Sequence, residues 1–336
     1  MVKNLNIRLK LNVVKSIMKL KILINYFLVV ILSIISVIAQ ADEIIDLSKK
    51  IQDVKVTPFT SYRYDIFQFS IPSNGFINST KLSELTWKNH ISEVGIKLET
   101  QPKENQFNVQ GQLKYGYILN NSKNQDSDWD NIGEFSRTFS SVKGNIYDFS
   151  TAIGFSQLLQ NTLFTYYLGM DYTKYQMKDY GLYYTIHRFY NETNQNILGQ
   201  SHSNSKLVSK YRFNNYVPWI GLSLNHCIND RFSVNPTVKL YFFYLSGEAG
   251  WVLRDDLQYN PSFTHKAFGI GVGFDTELLY QYNNNLALHA NIGVKKLDMI
   301  QGIKKTFYSF NHTSSSELYK LSLFSSSISA GIKYKF

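Results

Sequence analysis

Long runs in which apolar and polar side chains alternate constrain this chain more than any other feature. Over 107–119 the odd positions are Phe107, Val109, Gly111, Leu113, Tyr115, Tyr117 and Leu119, while the even ones begin Asn108, Gln110, Gln112, Lys114 and Gly116. The same design recurs from Tyr147 to Phe155, from Phe164 to Tyr172, from Phe268 to Leu278, from Leu286 to Lys295 and from Ile328 to Phe336. A period of two means an extended strand with one apolar and one polar face. Strands of soluble proteins usually run about five or six residues, whereas a tilted span through lipid needs about nine to eleven. The runs have the longer length. They predict an all-β transmembrane antiparallel β-barrel of about ten strands with long extracellular loops. A soluble β-sandwich is the alternative, and strand length argues against it.

The N-terminus bears on the compartment. Met18-Lys19-Leu20-Lys21 is basic, Ile22 to Ile38 is apolar apart from Asn25, Ser33 and Ser36, and Ala39-Gln40-Ala41 precedes Asp42 and Glu43. That is the three-part build of a secretory signal peptide. The expected organisation is a signal over residues 1–41, starting at Met18 and cleaved after Ala41, then one barrel domain over 42–336. A permanent membrane anchor is the competing reading, and the small-x-small site favours cleavage. Residues 1–41 carry six basic side chains and no acid, so the formal charge falls from +10 to +4 without them. The basic pI therefore gives no support to nucleic-acid binding. No later run reaches about 18 apolar residues, which excludes helical spans there. The single Cys227 excludes an intrachain disulfide framework.

Strands are expected near 58–69, 84–98, 106–120, 145–158, 163–178, 207–224, 231–244, 265–281, 286–298 and 318–336. The connections Gln101–Asn105, Gln157–Thr162, His226–Asp230 and Tyr282–Asn285 are short and polar, as periplasmic turns are. The stretches 70–83, 121–144, 179–206, 245–264 and 299–317 are long and read as extracellular loops. Lumen-facing Lys114, Lys239 and Lys295 are placed to pair with Asp148, Asp171, Asp275 and Glu277, because unpaired buried charge is costly. About ten strands leave a narrow lumen, which argues against a wide pore.

Asp126-Ser127-Asp128-Trp129-Asp130 is the most pointed chemical motif. Carboxylates at i and i+2 of an extended segment point the same way, and their repulsion lets such a pair share a proton or orient a water. A solvated polar segment or a weak cation site is the plainer reading. No phosphate-cradling glycine loop, metal-spaced His/Cys cluster or Gly-x-Ser-x-Gly elbow is present.

The Asp-x-Asp-Trp segment after the third strand, together with Tyr216-Val217-Pro218-Trp219-Ile220-Gly221-Leu222, resembles the omptins, outer-membrane aspartate–histidine endopeptidases. The resemblance implies that Asp126 and Asp128 form the first catalytic pair. The second pair falls on Asp256 and on Gln258, where the omptin pattern has histidine. A neutral amide accepts no proton, so the base position is vacant. His265 is the next imidazole along the chain, at the wrong spacing for the motif; His187, His202 and His312 sit in other outer loops. Gly133-Glu134-Phe135-Ser136-Arg137, Trp251 to Asp256 and His265-Lys266-Ala267-Phe268-Gly269 resemble a second, omptin-like family, the Protochlamydia outer membrane proteins, over roughly 83–336. These are described as outer-membrane or porin-like proteins rather than proteases.

The expectation is a surface barrel of a Gram-negative-type cell, a non-peptidase rather than a working protease. An endopeptidase using an unusual base, a narrow porin and an adhesin are the alternatives. Candidate catalytic residues are Asp126, Asp128, Asp256 and His265. No metal or cofactor is expected, and lipopolysaccharide is the candidate lipid partner. Other expected partners are outer-membrane lipid, the barrel-assembly machinery through the terminal Phe336, and host or environmental proteins at the outer loops, but no nucleic acid.

Overall fold

The computed structural model describes residues 54–73, 81–159, 162–187 and 199–335; the leader read over 1–41 and the terminal Phe336 lie outside the described residues. Among the described residues, twelve antiparallel strands form one sheet. They are β1 (Val54–Pro72), β2 (Lys81–Thr100), β3 (Gln106–Ile118), β4 (Lys123–Asp130), β5 (Gly133–Leu159) and β6 (Thr162–His187). Then follow β7 (Gly199–Cys227), β8 (Phe232–Trp251), β9 (Phe263–Gln281), β10 (Leu286–Phe307), β11 (Thr313–Glu317) and β12 (Lys320–Lys335). Because β1 pairs with both β2 and β12, the sheet closes into a ring. Ten strands make that ring, and the short β4 and β11 lie on the courses of β3 and β12.

The alternation read from the sequence is the wall itself. Val94, Leu113, Ile153, Val238, Val272, Leu288 and Ile328 stand exposed on the outside. Rings edge this apolar band on both sides: Tyr115–Tyr147 (5.3 Å) and Tyr172–Tyr216 (5.2 Å) toward the long hairpins, Phe107–Phe155 (5.2 Å) and Phe232–Tyr280 (4.8 Å) toward the short turns. Such girdles mark the two lipid–water boundaries of a barrel.

The inside is filled by charges. Arg63 reaches Asp65 (3.1 Å), Glu93 (2.9 Å) and Asp148 (2.7 Å), and Lys114 joins Glu93 (3.3 Å) and Asp148 (3.5 Å). Lys239 pairs with Asp275 at 2.8 Å, as its lumen-facing position suggested. Lys295 differs: its ammonium lies 5.6 Å from the Tyr241 ring centre. Glu277 takes Lys333 at 2.7 Å. Trp219 lies against Gly169, its rung partner on the neighbouring strand, where a Cβ would collide with the indole.

The main departure from the expected map is the reach of the strands beyond the apolar band. β5, β6 and β7 run 27, 26 and 29 residues. Much of 121–144, 179–206 and 299–317, read as loop, is ladder. Above the lipid neither face must be apolar, so the period-two signal fades while backbone pairing continues. The short turns come where expected, at 101–105, 228–231 and 282–285. β4 continues β3 through a joint at Leu119–Ser122: both pair with β2 and β5. The joint is tied down by Leu119 N donating to His90 O (2.7 Å) and Val142 N donating to Ser122 O (3.1 Å).

Candidate functional site: an acidic cleft over an aromatic floor

Just above the charge-filled lumen, on the hairpin side, side chains from four strands meet as a layer of rings. Phe67 and Phe69 come from β1, Trp87 from β2, Tyr211 and Phe213 from β7, and Phe263 and His265 from β9, all buried. Ring centres stand 4.6 Å apart for Phe67–Phe213, 4.9 Å for Trp87–Tyr211 and 4.8 Å for Phe69–His265. Alternation along each strand sends every second side chain inward, which is why Phe67 and Phe69, or Tyr211 and Phe213, stack in one layer.

Asp126 and Asp128 sit above this floor on β4, opposite Leu85 and Ser83 of β2. Their i, i+2 spacing puts both on the inward face, although the segment is a strand rather than the loop expected. Oδ1 of Asp126 is buried with no partner, while the rest of the side chain is partly open. Burial, then the negative charges of Asp128 and Asp179, hold the Asp126 carboxyl well above the ordinary range. Burial also raises Asp128, opposed by a hydrogen bond with Ser83. Asp179 lies beneath, accepting from Trp87 Nε1 (3.2 Å), Asn124 Nδ2 (3.0 Å) and Ser209 Oγ (2.5 Å). Burial outweighs those donors and pushes it up to about 6. Lys304 of β10 completes the cleft, its ammonium 4.8 Å from the Phe263 ring centre. Burial, then the nearby Arg254, lowers it to about 8.

The other candidates lie elsewhere. His265 is 1% exposed and part of the floor. Its Nε2 shares a hydrogen bond with the Tyr211 hydroxyl, and its Nδ1 is buried without a partner. Burial, then Lys304, lowers its pKa to about 3, so the ring is neutral at pH 7. Asp256 is exposed on the β8–β9 loop, gripped by Arg254 through two contacts of 2.6 Å, which hold it below the usual carboxylate range. Gln258 is turned to the β10–β11 tip, where Nε2 donates to Tyr308 O at 3.3 Å. His312 packs at a tilt against Tyr308 at that tip, 5.5 Å between centres. The side chain of His187 lies outside the described residues.

Asp126 and Asp128 are thus gathered with Asp179 and Lys304, two residues that sequence reasoning missed. Parity could have found Asp179, which shares its face with Tyr175 and Met177. Lys304 fell in a stretch read as loop, where no parity was assigned.

A family model for the Protochlamydia outer membrane proteins matches residues 59–336. The chain belongs to the Protochlamydia outer membrane protein family. This family and the girdled barrel place the chain in the outer membrane. Among solved structures, the outer membrane protease OmpT from Escherichia coli aligns with a TM-score of 0.73 at 14% identity, over 85% of this chain and 98% of that one. That is a likeness of fold. A major outer membrane protein from Thermus thermophilus gives a TM-score of 0.34 at 9% identity, over 82% of this chain and 99% of that one. No curated protein matches the sequence. In this family member the cleft can retain a proton on the carboxyl pair or receive a cationic group. Among the described residues no cluster of three His, Cys, Asp or Glu side chains is arranged to hold a metal.

Proposed function

We propose that the chain is an outer-membrane surface barrel with a closed lumen, whose hairpin-end cleft binds ligands without cleaving peptides as an omptin would. One observation supports this: Gln258, which the resemblance to the omptins puts where their histidine stands, has its amide engaged with Tyr308 O. Peptide hydrolysis by water needs a proton acceptor, and a placed histidine contributes about 10²–10⁴-fold. His265 is a poor substitute, since it is bonded to Tyr211 and its pKa is about 3. Refolded protein in lipopolysaccharide should leave basic fluorogenic peptides intact, and Gln258→His should create or raise cleavage if it meets Asp126 and Asp128. Robust cleavage by the unmodified protein, abolished by both Asp126→Asn and His265→Ala, would overturn this reading.

Lipopolysaccharide enters the proposal through the outer wall. Lys143, Lys178 and Lys210 stand in direct register across β5, β6 and β7. Like charges opposed on a sheet repel, and lipid phosphates would relieve that repulsion. Replacing all three by Gln should weaken lipopolysaccharide binding in a pull-down at low salt. Unchanged binding would remove this lipid from the proposal.

A further inference from the structure

The amine of Lys304 is the one group of the hairpin-end cleft that the proposal above leaves unused. Its rung neighbours are His265 on β9 and Ser316 on β11, and its side chain turns inward with His265. The ammonium lies 4.8 Å from the Phe263 ring centre and stays partly open to the cleft. A second cation, Arg254, acts on it from the β8–β9 loop, while His265 alongside is neutral at pH 7. An amine seated on a ring and beside another cation gives up its proton more readily than one in water. Burial, then Arg254, brings Lys304 down to about 8. Such surroundings turn a lysine into a nucleophile near neutral pH.

A lysine opposite two carboxyls ordinarily closes on them as an ion pair. Lys304 does not. Among the described residues it has no carboxylate within 4 Å, although the charges of Asp126 and Asp128 both act on it. Amine and acid pair therefore stand apart across the cleft, with space for a small group between them. Asp126 and Asp128 are themselves only partly covered. Burial, then Asp128 and Asp179, holds the Asp126 carboxyl well above the ordinary range. The acid thus keeps a proton where the amine begins to shed its own. Imine formation needs both at once, an unprotonated amine to attack and an undissociated acid to expel water.

We infer that the cleft captures small aldehydes as an imine on Lys304, with Asp126 as the proton donor. The inference rests on the reading of the cleft as a site that binds ligands without cleaving peptides. The Nζ lone pair attacks the carbonyl carbon, and a C–N bond forms as the C–O π bond breaks. A proton passes from that nitrogen to the oxygen, giving a neutral carbinolamine. Asp126 then protonates the hydroxyl, which leaves as water. The nitrogen lone pair closes the C=N bond, and the cationic iminium faces the new Asp126 carboxylate. No oxidant or reductant takes part.

Borohydride trapping makes the test local. Refolded full-length protein in detergent is incubated with propionaldehyde and cyanoborohydride, which reduces an imine to a stable secondary amine, and the labelled lysines are mapped by mass spectrometry. At about pH 7.5 Lys304 should react roughly tenfold faster than the exposed Lys143, Lys178 and Lys210 of the outer wall. Its rate should rise between about pH 6 and 8. Asp126→Asn should slow it about tenfold or more. Arg254→Gln should slow it several-fold at the same pH, because Lys304 then holds its proton more firmly. Lys304→Arg should keep the folded band in unheated SDS gels and lose the fast-labelling equivalent. Labelling of Lys304 in folded protein no faster than that of the outer-wall lysines would overturn the inference, as would an unchanged rate in Asp126→Asn. Neither result touches the non-peptidase reading, which peptide cleavage by the unmodified protein decides separately.

Discussion

Two adjacent layers close the lumen by opposite means. The Arg63 layer is charge on charge: one guanidinium held among Asp65, Glu93 and Asp148, with Lys114 beside it. The layer above is ring on ring, with His265 neutral in it. Tyr175 belongs to both, donating its hydroxyl to Asp65 at 2.6 Å while its ring lies 4.2 Å from that of Phe213. The charge layer depends on completeness, because removing one ion strands its partners in low dielectric. The ring layer depends on area, so losing one ring opens a hole without stranding a charge. A plug made of both resists water by geometry below and by exclusion above.

The strongest test of that contrast removes its central ion. Arg63→Ala leaves three carboxylates facing one another and should cost on the order of 3–5 kcal/mol, enough to erase the folded band in unheated SDS gels. Arg63→Lys should keep the band with a lower melting temperature. A folded, unshifted Arg63→Ala would mean that water, not Arg63, neutralises the layer.

Phe67→Ala should cost roughly 3–4 kcal/mol, as large-to-small core changes do, and leave the charges intact. Its distinctive effect is on conduction. Wild-type protein in planar bilayers should show no steady porin-sized conductance, whereas Phe67→Ala should show brief small openings. A large stable conductance in the wild type would refute a closed lumen.

Acid should act mainly on the ring layer and the cleft above it, where His265 opposes the raised carboxyls of Asp126, Asp128 and Asp179. His265 has a folded pKa of about 3, below its usual value, so its contribution is full above about 6.5 and is lost as pH falls toward 3. Asp179 has a folded pKa raised to about 6, so the native state gains stability as pH falls through that value toward 4. Asp126 and Asp128, raised by burial as well, add to the gain from Asp179, so the test lies in how variants differ from the wild type between about pH 6.5 and 4. Relative to the wild type, His265→Phe should move the melting temperature upward on acidification, and Asp179→Asn should move it downward. Identical slopes in all three proteins would show that neither group governs the region.

The sequence revealed these regions unequally. Within the lipid band every outward position must be apolar, so parity identified β3, β5, β9 and β10 together with the lumen-facing Lys114, Lys239 and Asp148. Arg63 and Glu93 were missed although their strands were recognised, because ion partners meet across the lumen from strands distant in sequence. Above the band the pattern dissolved, and with it the parity that would have turned Lys304 inward. Asp126 and Asp128 were legible because their spacing makes a shared face independent of whether the segment is called loop or strand. The placement of His265 was not: a histidine beside a motif reads as chemistry until its neighbours on other strands prove to be rings.

The joint between β3 and β4 bears on how such a rim can change over evolutionary time. Between matched rungs it runs four residues, Leu119 to Ser122, where β2 has only Asn89 and His90 and β5 only Val142 and Lys143. The excess is even. Asn108, Ile118, Asn124, Asp126 and Asp128 therefore keep one phase, and the carboxyl pair faces the interior on the same count that sets the wall below. A single-residue insertion or deletion there would turn both aspartates to the outside while leaving the membrane span untouched. Length changes at this joint can then be accepted only in twos. The cleft is guarded by arithmetic as much as by the identity of its residues.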